Sequence, residues 1–409
     1  MCEPERNPSP PPEFVEAKKS FDAVRIGDTV FSQRWVFQCL LKAIKAAENE
    51  NASREGEELP SEEEVVELDR EIEEELCTLW DMAANSDVAH FLHEFKALEI
   101  FLQIVATSKS PRLVEILIGI LGNMAVFPDL SLALSQEESL LQMAMQLLGG
   151  TDTPTLLQVL RLCHTCLSNE ESLPLWLQAI HTSDSCLSGI TFILENSINE
   201  ELLKVTLQVL DCVLDEDTEL CALCVNENFV EALFTAACYL SSRGKYDSLD
   251  AFWHLLHVMD FETDAKKFIL PRNEKLESLL VDWLQGQEGS PLPARDHWRT
   301  LGSAVTLVSS VRQATGSQVK GEEMASHFQV LVDLTGLKLP ACVACAQFML
   351  ETGASGSCKC TPAISHVELV THRSGSRLRR ASHLHSTTFL YYMPLITSCQ
   401  RGILNFCLL

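Results

Sequence analysis

Aromatic side chains are scarce in this chain, at 7% of its residues. Strands favour aromatic and β-branched residues, so a composition led by Leu, Ala, Glu and Val argues against a β-rich fold. No run alternates apolar and polar residues with period two. Positive charge is also short, with 31 Lys and Arg against 57 Asp and Glu, a formal charge of −26. Such a surface repels phosphate backbones and anionic lipid, so nucleic acid and membrane are not expected as partners, and a basic protein is. No stretch of 18 or more uncharged apolar residues occurs, which excludes the usual bilayer-spanning helix. The opening Met1-Cys2-Glu3-Pro4-Glu5-Arg6 lacks the basic and apolar regions of a secretory leader, so secretion is not expected. The sixteen cysteines then read as reduced thiols, most of them small core residues.

Catalytic signatures are missing as well. There is no Gly-x-Ser-x-Gly elbow, phosphate-cradling glycine loop or dinucleotide fingerprint. His90 and His93 share a helix face without a His-Glu-x-x-His pattern, and read as solvated or core histidines. The expectation is a protein that is not an enzyme and carries no cofactor. Three cysteine pairs have CxxC spacing. Cys163/Cys166 and Cys221/Cys224 read as buried thiols, because i and i+3 share one helix face. Cys342/Cys345 with Cys358 and Cys360 is the single weak candidate for zinc, and its second pair is poorly spaced, so no metal site is assigned.

Hydrophobic residues make up 46% of the 409, enough for a sizeable core and more chain than one compact domain needs. Residues 1–28 are expected to be a disordered, Pro-rich start, since Asn7-Pro8-Ser9-Pro10-Pro11-Pro12 suits neither helix nor central strand. Residues 29–60 read as a short helix, about Trp35 to Ala47, followed by an acidic linker. From Glu48 to Glu75 fourteen acids face two bases, and the part up to Pro60 is expected to be disordered. Ser61-x-x-Glu64 reads as a capping box opening a helix with Val65, Leu68, Ile72, Leu76 and Leu79 on one stripe.

From residue 61 to 340 helix follows helix, and a repeat emerges. Leu76–Met82, Ile118–Met124, Leu160–Cys166 and Leu207–Val213 align, and Phe252–Val258 and Ala304–Ser310 follow more loosely. Their sixth residues are Asp81, Asn123, Thr165, Cys212, His257 and Ser309, at spacings of 42, 42, 47, 45 and 52. Periods in the forties, with two or three helices per unit, belong to armadillo/HEAT arrays. Ser110-Pro111 reads as a helix start, Gly149-Gly150 as a stop and Asp152-Thr153-Pro154 as the next start. Between the aligned segments second and third amphipathic helices are expected, as over Phe91 to Val105. The expected fold is therefore all-α, an armadillo/HEAT-like right-handed superhelical solenoid. Residues 341–409 depart from it. They hold six cysteines and six bases against two acids, helix periodicity fades, and a poorly structured basic tail is expected.

Three stretches carry a resemblance: Arg6-Asn-Pro-Ser-Pro-Pro-Pro12; Glu67–Ile72 with Trp80-Asp-Met82; and Pro111-Arg-Leu113 running into Gly119–Ala125. In these the chain resembles the serum amyloid A-like protein family, also called synoviocyte proliferation-associated proteins. The similarity is strongest over about residues 25–170 and traceable to about 340. It implies an armadillo-type fold, a nuclear location (with some cytoplasmic) and promotion of fibroblast-like cell proliferation under inflammatory stimulus. It implies no catalytic residues.

The candidate site is a protein-binding groove lined by Trp80, Asp81, Asn123, Thr165 and His257. An asparagine at this place on an armadillo third helix faces the groove, where its amide both donates and accepts and so pairs with any extended main chain. Only one of six aligned positions is asparagine, which argues against a full ladder of the nuclear-import kind. The competing reading of Asn123 is an amide satisfied within its own fold. Gly119-x-x-Gly122 is read as a close helix contact. The leading function is a protein-interaction scaffold; the alternatives are a co-chaperone nucleotide-exchange factor and an import-adaptor-like peptide binder.

Overall fold

The computed structural model describes residues 24–52 and 66–286, with five further helical positions, Ser303, Ala304, Leu307, Val311 and Ala314. The Pro-rich start, most of the acidic linker, Ser61 to Glu64, Ser309 and the tail from 341 onward lie outside the described residues. Among those described, every named element is helical, and the sole β feature is an isolated bridge between Arg25 and Ser32.

The helices are α1 (Gln33–Ala52), α2 (Arg70–Met82), α3 (Ser86–Glu94), α4 (Ala97–Thr107), α5 (Pro111–Met124) and α6 (Pro128–Ser135). There follow α7 (Glu138–Leu147), α8 (Thr153–Leu167), α9 (Leu173–Thr182), α10 (Cys186–Asn196) and α11 (Glu200–Glu216). Last come α12 (Thr218–Cys224), α13 (Glu227–Ser242), α14 (Asp250–Met259), α15 (Ala265–Ile269) and α16 (Asn273–Gly286). They fall into two compact units that divide at Leu220 and Cys221, inside α12.

In the first unit the repeat is laid out physically. The four aligned segments lie on α2, α5, α8 and α11, and these helices pack in succession, α2 on α5, α5 on α8, α8 on α11. Near their starts, Arg112 Nε of α5 donates to Glu73 of α2 at 2.7 Å; near their ends, Asn123 Nδ2 donates to Trp80 O at 2.8 Å. Contacts at both ends make these two helices parallel and in register. Between them run two shorter helices per repeat, α3 and α4, α6 and α7, α9 and α10, and α4 also stacks on α7. The unit is an all-α solenoid of three-helix repeats. Helix α5 is sandwiched between α2 and α8, which explains why Leu113 to Leu121 is apolar nearly all round and almost wholly buried.

Polar side chains set the helix starts. Asn85 accepts from the Asp87 and Val88 amides, Asp152 from Thr155 and Asn199 from Leu202. Ser110 caps α5, with Pro111 at its first turn as the sequence led one to expect, and Gly149-Gly150 follows α7. Two expectations need correction. Residues 66–69 are not helical: α2 starts at Arg70 because Asp69 caps it, accepting from the Glu71 and Ile72 amides. The acidic stretch begins inside α1, whose helix runs on to Ala52. The second and third helices expected over Phe91 to Val105 are α3 and α4, parted where Lys96 takes φ 58 and turns the chain.

The second unit is built on α13, which packs beside α16. Phe234, Phe252, Trp253 and Trp283 form its aromatic core, in edge-to-face contacts 5.3–6.4 Å between centroids. The Arg272 side chain, 8% exposed, donates to Glu231, Glu227 and the Phe268 carbonyl. The loosely aligned segment 252–258 lies on α14.

Candidate protein-binding face

The third-helix stack brings the predicted residues to successive helices of the first unit. Asp81 on α2 is exposed, and Asn123 on α5, Thr165 on α8 and Cys212 on α11 are each half-buried. His257 belongs to the second unit, on α14, half-buried with its ring 5.1 Å from Phe261.

Trp80 and Asn123 meet directly. The Asn123 amide nitrogen donates to the Trp80 carbonyl. A carbonyl only accepts, so the nitrogen must face it, and Oδ1 faces away. Among the described residues nothing donates to Oδ1, and nothing accepts from the half-buried Trp80 Nε1. Half of the Asn123 amide thus fastens two repeats, and the other half makes no hydrogen bond among the described residues.

The glycines explain the approach. A Cβ on Gly119 would lie 2.2 Å from Cε2 and Cζ2 of the Trp80 indole. The indole thus occupies the space that a side chain at 119 would need, a close contact of the kind read from the Gly-x-x-Gly spacing. Gly122, one turn on, is different, for a Cβ there would meet nothing within 4 Å. It leaves open space on that turn of α5. At the matching position of α8 is His164, whose imidazole burial holds below its ordinary value, with Asp211 pulling the other way. Thr165 donates to the Arg161 carbonyl of its own helix at 2.9 Å and keeps its oxygen lone pairs.

At the other end of the same helices Arg112 joins Glu73, Glu115 and the Cys77 sulfur. Burial raises the Cys77 thiol above its ordinary value, against the pull of Arg112, so it is not primed as a nucleophile. Cys163 and Cys186 are buried and raised by desolvation, Cys186 to about 12. Cys221 and Cys224 are buried too. Both described CxxC pairs are thus core thiols; the tail cysteines lie outside the described residues. Sequence reading missed the part of Gly122 and His164 in this face. Their roles depend on which helix stands alongside, and no spacing within one helix records that.

Comparisons with known proteins bear on the whole chain. The profile of the SAAL1 C-terminal domain matches residues 186–331. Protein saal1 of Danio rerio is 33% identical over 348 residues, covering 80% of this chain and 72% of the relative. Protein SAAL1 of Mus musculus is 40% identical over 312 residues, covering 73% and 63%. That of Homo sapiens is 40% identical over 195 residues, covering 48% and 40%. The chain thus spans less than two thirds of the mouse and human proteins. Among solved structures, an engineered protein aligns with 67% of this chain and 98% of its own at 15% identity and TM-score 0.43. A designed armadillo repeat protein aligns with 66% and 99% at 15% identity and TM-score 0.38. The solenoid assignment rests on the helix stacking itself. With a relative this similar over most of both lengths, the chain belongs to the SAAL1 family.

Proposed function

We propose that this chain is a non-enzymatic scaffold that binds a protein partner along the α2, α5, α8 and α11 face, with Trp80, Asp81, Asn123 and Thr165 as its contact residues. The observation that carries the reading is the open half of the Trp80–Asn123 junction. Asn123 Oδ1 can accept and Trp80 Nε1 can donate, both residues are half-buried, and at Gly122, the chain neighbour of Asn123, an added Cβ would meet nothing within 4 Å. One peptide unit of an extended chain offers the matching N–H and C=O. Asp81, exposed beside them, favours a Lys or Arg on that chain, in keeping with the charge of −26. Helices about 10 Å apart make the four-helix face about 30 Å long, room for roughly nine extended residues. The family resemblance extends the proposal to a nuclear setting and to promotion of cell proliferation under inflammatory stimulus.

Gly122→Leu tests the face without disturbing the fold. The new side chain fills open space and improves helix propensity by about 1 kcal/mol over glycine. Proximity labelling in cells should recover the partners of the wild type but lose them with Gly122→Leu, at equal or higher melting temperature. Unchanged recovery would remove the face from the proposal.

A further inference from the structure

His90 lies outside the proposed binding face, on α3, the first helix of its repeat. Its Nε2 is 2.7 Å from Oδ2 of Asp129, in the first turn of α6, the first helix of the next repeat. Its Nδ1 is 2.7 Å from the Ser86 carbonyl oxygen, with the Ser86 hydroxyl farther off at 3.3 Å. A carbonyl and a carboxylate both only accept. A neutral imidazole carries one N–H and one lone pair, so at these distances it would leave one nitrogen's lone pair facing an oxygen's. Only the doubly protonated ring donates to both.

We propose that His90 is a proton-operated joint between consecutive repeats, bonded to both the Ser86 carbonyl and Asp129 only as the imidazolium: loss of the Nδ1 proton frees the ring from Ser86, and loss of the Nε2 proton frees it from Asp129. The repeats it joins are those whose third helices carry Asn123 and Thr165. The surroundings are consistent. The Ser86 carbonyl and then Asp129 raise the imidazole above 6.5, Glu94 on the same helix adds to this, and His90 in turn lowers Asp129 below 3.8. On α4 and α5, which pack against α3, Glu99 pairs with Lys96 and Arg112 with Glu73 and Glu115; α1, whose Phe37 ring meets Phe91, carries Lys42, paired with Glu71 and Glu75, and also Arg34 and Lys45. Asp87 takes the Asp28 amide. The Phe127 ring, 5.9 Å from the imidazole, flanks the pair. The fold contains its own contrast in His181, whose Nε2 is likewise 2.7 Å from Asp217 Oδ2. Among the described residues no second acceptor meets its other nitrogen, so one N–H suffices there.

The joint is readable in the protein alone, with no partner present and no dependence on the binding face. Imidazole nitrogen NMR of the folded chain at about pH 6.5, the midpoint of an ordinary histidine, should find His90 more than half doubly protonated. Asp129→Asn should bring that fraction down. Amide protection in the first turn of α6 should fall as His90 titrates in the wild type, and should lose that step in His90→Gln. A His90 half or less protonated at that pH overturns the proposal, and so does protection in α6 that ignores its titration.

Discussion

Gly119 and Gly122 sit one turn apart on α5, yet opposite forces keep them small. At 119 an added methyl group would strike the Trp80 ring at 2.2 Å, while at 122 it would meet nothing within 4 Å. Gly119→Ala should therefore destabilise the protein by about 1–3 kcal/mol, as overpacking does, despite its better helix propensity. Gly122→Ala should stabilise it by up to about 1 kcal/mol. Denaturant titration of the two variants checks both signs, and equal effects would mean that the indole does not lie on Gly119. His90 adds a pH dependence at the same scale. Its folded value is raised, so its contribution is complete below 6.5 and lost as pH climbs through the folded value. That of Asp129, lowered, is present above 3.8 and lost as pH falls below it. The Asp81–Asn123–Thr165 series was legible from spacing, because one residue in each repeat keeps one place on the third helix. The His90–Asp129 pair was not, since its partners lie 39 positions apart with no motif to link them.

Among the elements, the third helices were the most legible and the short helices before them the least. An apolar stripe and a polar cap each leave a local trace: Ser110-Pro111, Asp152 and Asn199 all act where their residue types suggest. The turn from α3 to α4 leaves none. Phe91, Leu98 and Phe101 keep helical spacing straight through Lys96, which holds φ 58 without the glycine that usually takes such a turn. What breaks the helix there is that α4 must turn back to stack on α7, a demand of the neighbouring repeat. Lys96→Gly should therefore raise stability by about 0.5–1 kcal/mol, seen as a higher melting temperature, since the exposed Lys96–Glu99 pair is worth little. A drop would mean that the lysine stem contributes packing that the strain argument omits. Asp69, five residues past Glu64 of the Ser61-x-x-Glu64 pattern, shows the same limit: several acids compete for one cap, and the bonded geometry decides.

For the molecule as a whole, composition indicated a helical array but not its division at Leu220 and Cys221, because α12 carries the chain across that point as continuous helix. Charge is the property that acts at this scale. Fifty-seven acids against 31 bases repel one another in any compact state. Raising ionic strength from about 10 mM to about 150 mM shortens the screening length from roughly 30 Å to roughly 8 Å. The melting temperature should rise over that range. A fall would show that paired charges such as Lys42 with Glu71 and Glu75 outweigh the net repulsion.

The indole seated on a bare backbone joins two positions 39 residues apart into one unit of inheritance. A descendant that exchanged Trp80 for something slimmer would free position 119 to acquire a side chain, and one that acquired the side chain first would have nowhere to put the ring. Substitutions at the two sites should therefore appear together along lineages, the large residue disappearing only where the small one has grown.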